Sequence, residues 1–252
     1  MSNKQNRSDI ARCHTEDMDR LFSEEIKKSI TGTKIYGVDF CRKEETGHSP
    51  DFILEQSYTE ESVIKTAGNG KLAVLNFASY RHAGGGFLKG AMAQEEAICH
   101  SSFLYNILRE FPDYYGWNES NYNRGLYTNR ALYSPEVYFF SDNYEKYVKA
   151  DVITCAAPNR SVMRKDGRFS EEENELALKE RIQFIRDICD EECVDTFITG
   201  AFGCGVFAQK PEVVANLFMD LFGDTKVKKV IFAIPPDRNY VAFEKEYNNR
   251  FL

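Results

Sequence analysis

From Lys71 onward the chain is punctuated by short, continuous apolar runs: "KLAVLNFAS", "VYFFSD", "ADVITCAAPN", "VDTFITGAFG" and "KKVIFAIPP". Such runs, bounded by turn residues and lacking polar alternation, are expected of strands covered on both faces. Between them, "EEAICHSSFLYNILREF", "SEEENELALKERIQFIRDICDEE" and "KPEVVANLFMDLFG" read as helices. Strands alternating with helices predict an α/β fold with a mainly parallel sheet and helices on both sides.

The part before Lys71 has a different texture. "EDMDRLFSEEIKKSI" sets Met18, Leu21, Phe22, Ile26 and Ile30 on one face of a charged amphipathic helix spanning much of the first thirty residues. "KIYGVDFCRK" and "DFILEQSYT" read as short strands or loop segments around the turn-forming "TGHSPD", and "EESVIKTAG" as a short helix ending at Gly68. Residues 1–70 are therefore expected to be an accessory extension packed on a 71–252 core, one globular unit overall. Two polar stretches, "GWNESNYNRGLYTNRALYS" (116–134) and "PNRSVMRKDGRFS" (158–170), read as long surface loops, which in small domains often carry function.

Composition narrows the function classes. The 252 residues are 42% hydrophobic and 28% charged, ordinary for a folded soluble chain. A formal charge of -7 speaks against a field that gathers polyanions indiscriminately, so a phosphate-bearing partner must be gripped locally and no sequence-specific nucleic-acid binding is expected. No apolar run approaches the roughly 20 residues that span a bilayer, so no membrane partner is expected. Seven scattered cysteines fit reduced thiols in a cytoplasmic setting. Cys189 and Cys193 lie about one helical turn apart without a second pair at zinc spacing, and His82, Cys99 and His100 show no diagnostic spacing, so no metal is expected.

Candidate chemistry sits in two glycine-rich loops. The strand "LAVLNFAS" runs into Gly84, Gly85 and Gly86, and a helix opens near Gln94, Glu95 and Glu96. In open α/β sheets ligands bind beyond the carboxyl ends of strands, and bare glycine backbone lets N–H groups approach a ribose or phosphate. Acidic residues suit a first helical turn, where the dipole favours them. Adjacent helical residues diverge by about 100°, so Glu95 and Glu96 are not expected to flank one bond as a conventional glycosidase pair. One would act as acid/base while the other holds the substrate. The second loop repeats the logic: "VDTFITG" leads into Gly200, Gly203 and Gly205 ahead of a helix near Pro211, an anion site made of backbone amides. Phe202 and Phe207 are apolar residues where solvent contact is expected; either they stack on a base or ribose, or they make a capping contact under the loop. Cys204, between two glycines, reads as structural. "GCGVFA" matches the dinucleotide fingerprint G-x-G-x-x-G/A only weakly, since it stands in the last βαβ unit, and no G-x-x-x-x-G-K-[ST] is present.

Taken together, the two loops resemble those of poly(ADP-ribose) glycohydrolases. "GGGFLKGAMAQEE" has their glycine triplet, a gap of seven residues and Gln-Glu-Glu; "GAFGCGVF" is similar to the diphosphate loop of the same macrodomain-type fold, and "VLNFAS" to its strand ending in Asn. The pattern is most like the microbial-type branch and runs from about Lys71 to Pro236. It implies a macrodomain-like three-layer α/β/α sandwich with a mixed, mainly parallel sheet and an N-terminal helical extension. It also implies hydrolysis of the ribose–ribose O-glycosidic bonds of poly(ADP-ribose), with no cofactor and with ADP-ribose as product ligand; ADP-ribosylated proteins are the implied partners. By the same resemblance Glu96 is the acid/base, Glu95 positions ribose hydroxyls and Gln94 supports the site. Asn76 contacts a ribose hydroxyl, and Gly84, Gly85 and Gly86 hold the ribose. Gly203, Cys204, Gly205 and Val206 cradle the diphosphate, with Phe207 against the terminal ribose. Cleavage is expected to be mainly of the exo type. The alternatives are a hydrolase of mono-ADP-ribosylated substrates and a non-catalytic ADP-ribose-binding module. One departure stands out: "SYRHAGGG" has Tyr80, Arg81 and His82 where many microbial members have a Pro-containing turn.

Overall fold

The apolar runs become one seven-stranded sheet in the computed structural model, which describes residues 3–41, 47–68, 70–141, 144–165, 167 and 170–252. The strands are β1 Lys34–Tyr36, β2 Asp51–Gln56, β3 Leu72–Phe77, β4 Ala131–Ser141, β5 Lys146–Cys155, β6 Thr196–Thr199 and β7 Lys229–Ile234. They lie in the order β1-β4-β5-β3-β6-β7-β2. From β5 to β2 every pairing is parallel, whereas β4 runs antiparallel to both β5 and β1, so the sheet is mixed and mainly parallel, as expected.

The helices are α1 Asn3–Leu21, α2 Ser23–Gly32, α3 Thr59–Thr66, α4 Gln94–Ser101, α5 Leu104–Leu108, α6 Pro112–Ser120, α7 Arg160–Met163, α8 Glu171–Glu191, α9 Pro211–Leu221 and α10 Arg238–Phe251. They form two layers because successive strand residues face opposite sides. On β3, Ala73 and Leu75 join the core made with α8, α9 and α10, while Leu72 and Val74 join the core made with α1 to α6. All four are buried, which is why the run shows no polar alternation. The parallel strands β3, β5 and β6 all end at the same edge, and both glycine-rich loops leave from there.

Several elements differ from the sequence expectation. The N-terminal helix is broken at Phe22, whose ring leaves the helical path to pack 4.6 Å from that of Phe140. The helix after Glu95 is interrupted at Ser102 and Phe103: Ser102 adopts extended backbone, pairs with Phe139, and offers its carbonyl to His14 Nε2 at 2.8 Å. The stretch 116–134 is not one loop, because α6 occupies its start and β4 begins at Ala131, continuing through an irregularity at Pro135 and Glu136. Within 158–170 lies the short α7. Arg42, Lys43, Thr46, Asp142, Asp166, Arg168 and Phe169 of the quoted segments fall outside the described residues. Among the described residues no helix is long and apolar enough to cross a membrane.

Residues 1–70 contribute both edge strands, β1 and β2, and helices that cover one face. Across the other face, Arg181 of α8 is buried and holds the functional end of the sheet together. Its guanidinium donates to Asn129 Oδ1 at 2.7 Å, to Leu126 O at 3.4 Å and to Ala156 O. These bonds fasten the 121–130 loop to the chain leaving β5. Replacing Arg181 by Met keeps the packing volume and orphans three acceptors, so stability should fall by about 2–4 kcal/mol, read from urea unfolding.

Candidate active site

The glycine triplet is bare because the protein's own atoms fill the space. Gly84 and Gly85 have φ of 62° and 59°, the left-handed region that other residues avoid. A Cβ on Gly85 would lie 2.7 Å from both Glu95 Oε2 and Glu96 Oε1; on Gly84 it would strike the Tyr105 ring at 2.7 Å, and on Gly86 the Ala91 methyl at 2.6 Å. The loop therefore closes directly over the two glutamates. Phe87–Lys89 then forms a 3-10 turn that delivers the chain to α4.

Gln94 fixes the start of α4 to the sheet. The last β3 residue paired with β6 is Val74, so Leu75 and Phe77 have no strand partner on that side. The Gln94 side chain replaces it: Oε1 accepts from Phe77 N at 2.8 Å and Nε2 donates to Leu75 O at 2.8 Å. One amide thus satisfies both a donor and an acceptor and sets the position of the two residues that follow it.

Glu95 and Glu96 are both buried, and they bond to different segments. Glu95 Oε2 accepts from Ser79 N at 2.7 Å and Oε1 from Asn76 Nδ2 at 3.3 Å. Glu96 Oε1 accepts from Gly86 N at 2.7 Å, and its Oε2 is buried with no hydrogen-bond partner. Burial pushes the Glu95 carboxyl up to about 8; the Ser79 amide and Asn76 pull the other way, and the Glu96 charge adds to the rise. Asn76 is wholly buried, its amide shared between Glu95 and Thr154 Oγ1 at 3.3 Å.

In the second loop Phe202 takes the capping place under the loop, not a place against a ligand. Rather than meeting solvent, this ring is fully buried and packs edge-on to Phe77 at 5.6 Å, because Gly200 lets the chain turn inward against Ala233 O. Its apolar surface anchors the loop from below. Gly203 has a φ of 75° and a Cβ there would meet Ala157 and Gln209, while Gln209 is itself bonded to Pro158 O and Asn174. Cys204 is buried, which pushes its thiol well up and fits a structural role. Gly205 and Val206 form the exposed tip, with Val206 77% exposed, and Phe207 is half-buried. Among the described residues, the amides of Gly203, Gly205, Val206 and Phe207 donate to no backbone carbonyl. The two loops project from neighbouring strands, β3 and β6, so the buried carboxyls and this row of amides lie at one end of the sheet.

Sequence reasoning did not single out the aromatic wall joining the loops. Tyr80 stacks on Tyr127 at 4.0 Å and 11°, Tyr127 meets Phe207 edge-on at 6.1 Å, and Arg81 lies 5.1 Å over Tyr122. Asn118 of α6 donates to Tyr80 O at 2.8 Å. Tyr115, also on α6, is buried with its hydroxyl unpartnered; burial pushes that hydroxyl well up, and the Glu95 charge adds to the rise. The density of tyrosines in "YYGWNESNYNRGLY" was the available signal. Among the described residues no three His, Cys, Asp or Glu side chains gather as a metal site.

A family model described as "Microbial-type PARG, catalytic domain" matches residues 11–142. Among curated proteins nothing matches. The crystal structure of poly(ADP-ribose) glycohydrolase from Thermomonospora curvata is 27% identical, with 96% of this chain and 99% of that chain covered and a TM-score of 0.85. The same enzyme bound to the inhibitor ADP-HPD is 28% identical over 96% and 99%, with a TM-score of 0.82. The Deinococcus radiodurans enzyme in complex with ADP-ribose is 25% identical over 90% and 98%, with a TM-score of 0.81.

The carboxyl of Glu95 has a testable signature. Its folded value near 8 stands above the ordinary 4.5, so the protonated form is favoured by folding. Its contribution is fully present below about 4.5 and is lost as pH rises toward and through 8. Glu95→Gln, which cannot ionise, should gain stability relative to wild type progressively between pH 5 and 8 and level off above. Paired thermal melts across that range check it; a pH-independent difference would contradict the assignment.

Proposed function

Because the chain belongs to the microbial-type poly(ADP-ribose) glycohydrolase family, we propose that it cleaves the ribose–ribose bonds of poly(ADP-ribose) with Glu96 as the one acid/base, mainly from the polymer end. It is a poly(ADP-ribose) glycohydrolase enzyme on a three-layer α/β/α fold. We read residues 1–70 as an accessory extension of the 71–252 catalytic core within one globular unit.

The observation that carries the assignment of Glu96 is its unpartnered Oε2. Both oxygens of Glu95 are occupied by Ser79 and Asn76, whereas Glu96 is held through Oε1 alone and keeps Oε2 free inside a buried site. A carboxyl held by one oxygen and free at the other can transfer a proton without losing its place. In the proposed sequence Glu96 is protonated in the enzyme–substrate complex and gives that proton to the bridging ribose oxygen as the glycosidic bond breaks, leaving an oxocarbenium-like ribose. Water then adds to the anomeric carbon and gives its proton to the Glu96 carboxylate, which restores the starting state. Glu95, with Asn76 and Ser79 behind it, positions the ribose hydroxyls, Gln94 secures the helix, and Gly84, Gly85 and Gly86 line the ribose.

The second loop is the proposed diphosphate cradle, formed by Gly203, Cys204, Gly205 and Val206, with Phe207 toward the terminal ribose and Phe202 as its anchor. Gly205 supports this: its φ is not left-handed and a Cβ there would meet nothing within 4 Å, so neither strain nor crowding by the chain requires glycine. Open space beside amides that bond no backbone carbonyl fits a bound anion. The ADP-ribose and ADP-HPD complexes of the related enzymes support ADP-ribose as the ligand class. The net charge of -7 supports gripping a polymer end through amides over tracking along a polyanion.

Glu96→Gln should bind ADP-ribose and lose at least about 100-fold in release of ADP-ribose from poly(ADP-ribose). Near-normal turnover would refute the acid/base role. Wild type that releases nothing from the polymer, yet binds ADP-ribose or acts on mono-ADP-ribosylated protein, would refute the substrate. Products should be dominated by free ADP-ribose, whereas long internal fragments would refute the exo preference. Gly205→Ala should leave the melting temperature nearly unchanged while weakening ADP-ribose binding, measured by calorimetry.

A further inference from the structure

The N-terminal helix reaches the segment that links the glycine triplet to the Gln-Glu-Glu run. Arg7 Nε donates to Gly90 O at 2.9 Å and Ser8 Oγ donates to Leu88 O at 2.7 Å. Gly90 is left-handed at φ 68°, and a Cβ there would collide with Lys4 O, so α1 lies directly on the backbone of the turn. From the same helix His14 presents its ring edge-on to Phe87 at 6.3 Å, and the buried Phe87 ring packs against His100 at 4.6 Å. At the other end of the turn, Gly86 O accepts from Lys89 N at 2.9 Å and from Ala91 N at 3.1 Å, while Gly86 N donates to Glu96 Oε1 at 2.7 Å.

We infer that α1 is part of the catalytic apparatus, with Arg7 and Ser8 as positioning residues that set Glu96 through the Phe87–Gly90 turn. The carbonyls of Leu88 and Gly90 are held by α1, and Gly86 is tied to Lys89 and Ala91 within the same short turn. Its N–H is thereby aimed at Glu96 Oε1, which leaves Oε2 without a protein partner. A carboxyl displaced by about 1 Å loses the reacting geometry at a cost of about 100-fold, so a clamp far from the substrate reads out in the chemical step. The inference rests on Glu96 being the acid/base.

The test compares Ser8→Ala, Arg7→Ala, the double variant and Arg7→Lys in the full chain. The double variant should lose about 10-fold to 100-fold in kcat on poly(ADP-ribose), with KM and the calorimetric Kd for ADP-ribose changed by less than about threefold. Arg7→Lys, which can still donate to Gly90 O, should recover most of the kcat. Hydrogen exchange at the Gly86 amide should accelerate in the double variant. A folded double variant with kcat within about twofold of wild type overturns the inference, as does an equal loss in ADP-ribose binding. Should the double variant not fold, Ser8→Ala, which deletes one hydroxyl, carries the same comparison at smaller amplitude. Failure of the parent reading is separate, since it would appear as an active Glu96→Gln enzyme.

Discussion

Two carboxyl groups buried side by side beneath a backbone without side chains is the constraint from which the site follows. Removing carboxyls from water is costly unless donors replace the solvent. Here the donors are main-chain amides of Ser79 and Gly86, the Asn76 amide, and the N-terminal end of α4. For donors of a loop to come so close, the loop must lack Cβ atoms, and Gly85 stands within contact of both glutamates. Compensation remains incomplete for Glu95, whose carboxyl stays pushed up to about 8. Glu95 thus holds its own proton near neutrality, because the fold leaves its carboxyl short of solvent.

The same reasoning separates two loops that look alike in sequence. The first triplet is bare because protein atoms occupy the volume, so its glycines answer an internal need. In the second loop only some glycines do: Gly200 and Gly203 lie against Ala233 O, Ala157 and Gln209, while Gly205 faces open space. Phe202 makes the difference intelligible, because an aromatic driven into the core beside Phe77 holds the loop rigid while its tip stays exposed.

The parallel strands were legible because burial on both faces removes polar alternation, and the starts of α4 and α9 because Gln94 and Pro211 follow glycine-rich turns. The glutamates and both loops were legible from residue type and spacing. What escaped was set by tertiary contacts. Phe22 breaks a helix to reach Phe140, and Ser102 breaks another to pair with Phe139. In α6, Tyr114 and Tyr115 are adjacent and both buried, so the segment lacks the one-sided pattern of a surface helix. Phe202 stayed open between a ligand contact and a contact under the loop, because a large apolar residue in a glycine-rich loop looks the same whether it points to a ligand or to the core; its burial decides for the second.

The departure at Tyr80, Arg81 and His82 is where local sequence and global architecture meet. A proline turn would stiffen the approach to the triplet through its own backbone. This chain stiffens it through side chains: Tyr80 is buried, stacks on Tyr127, and its hydroxyl meets Thr128 Oγ1 at 2.8 Å and Asn121 O at 3.2 Å. Tyr127 touches Phe207 in turn, and Arg181 holds the intervening loop from the opposite layer. The two glycine-rich loops are thereby coupled through one column of rings, so the spacing between the carboxyls and the second loop is set by packing. Packed aromatics resist displacement more steeply than a flexible turn, because a small gap already forfeits much of their dispersion energy. The approach to the triplet is thus constrained by side-chain packing across the site mouth, where the same rings also contact the second loop.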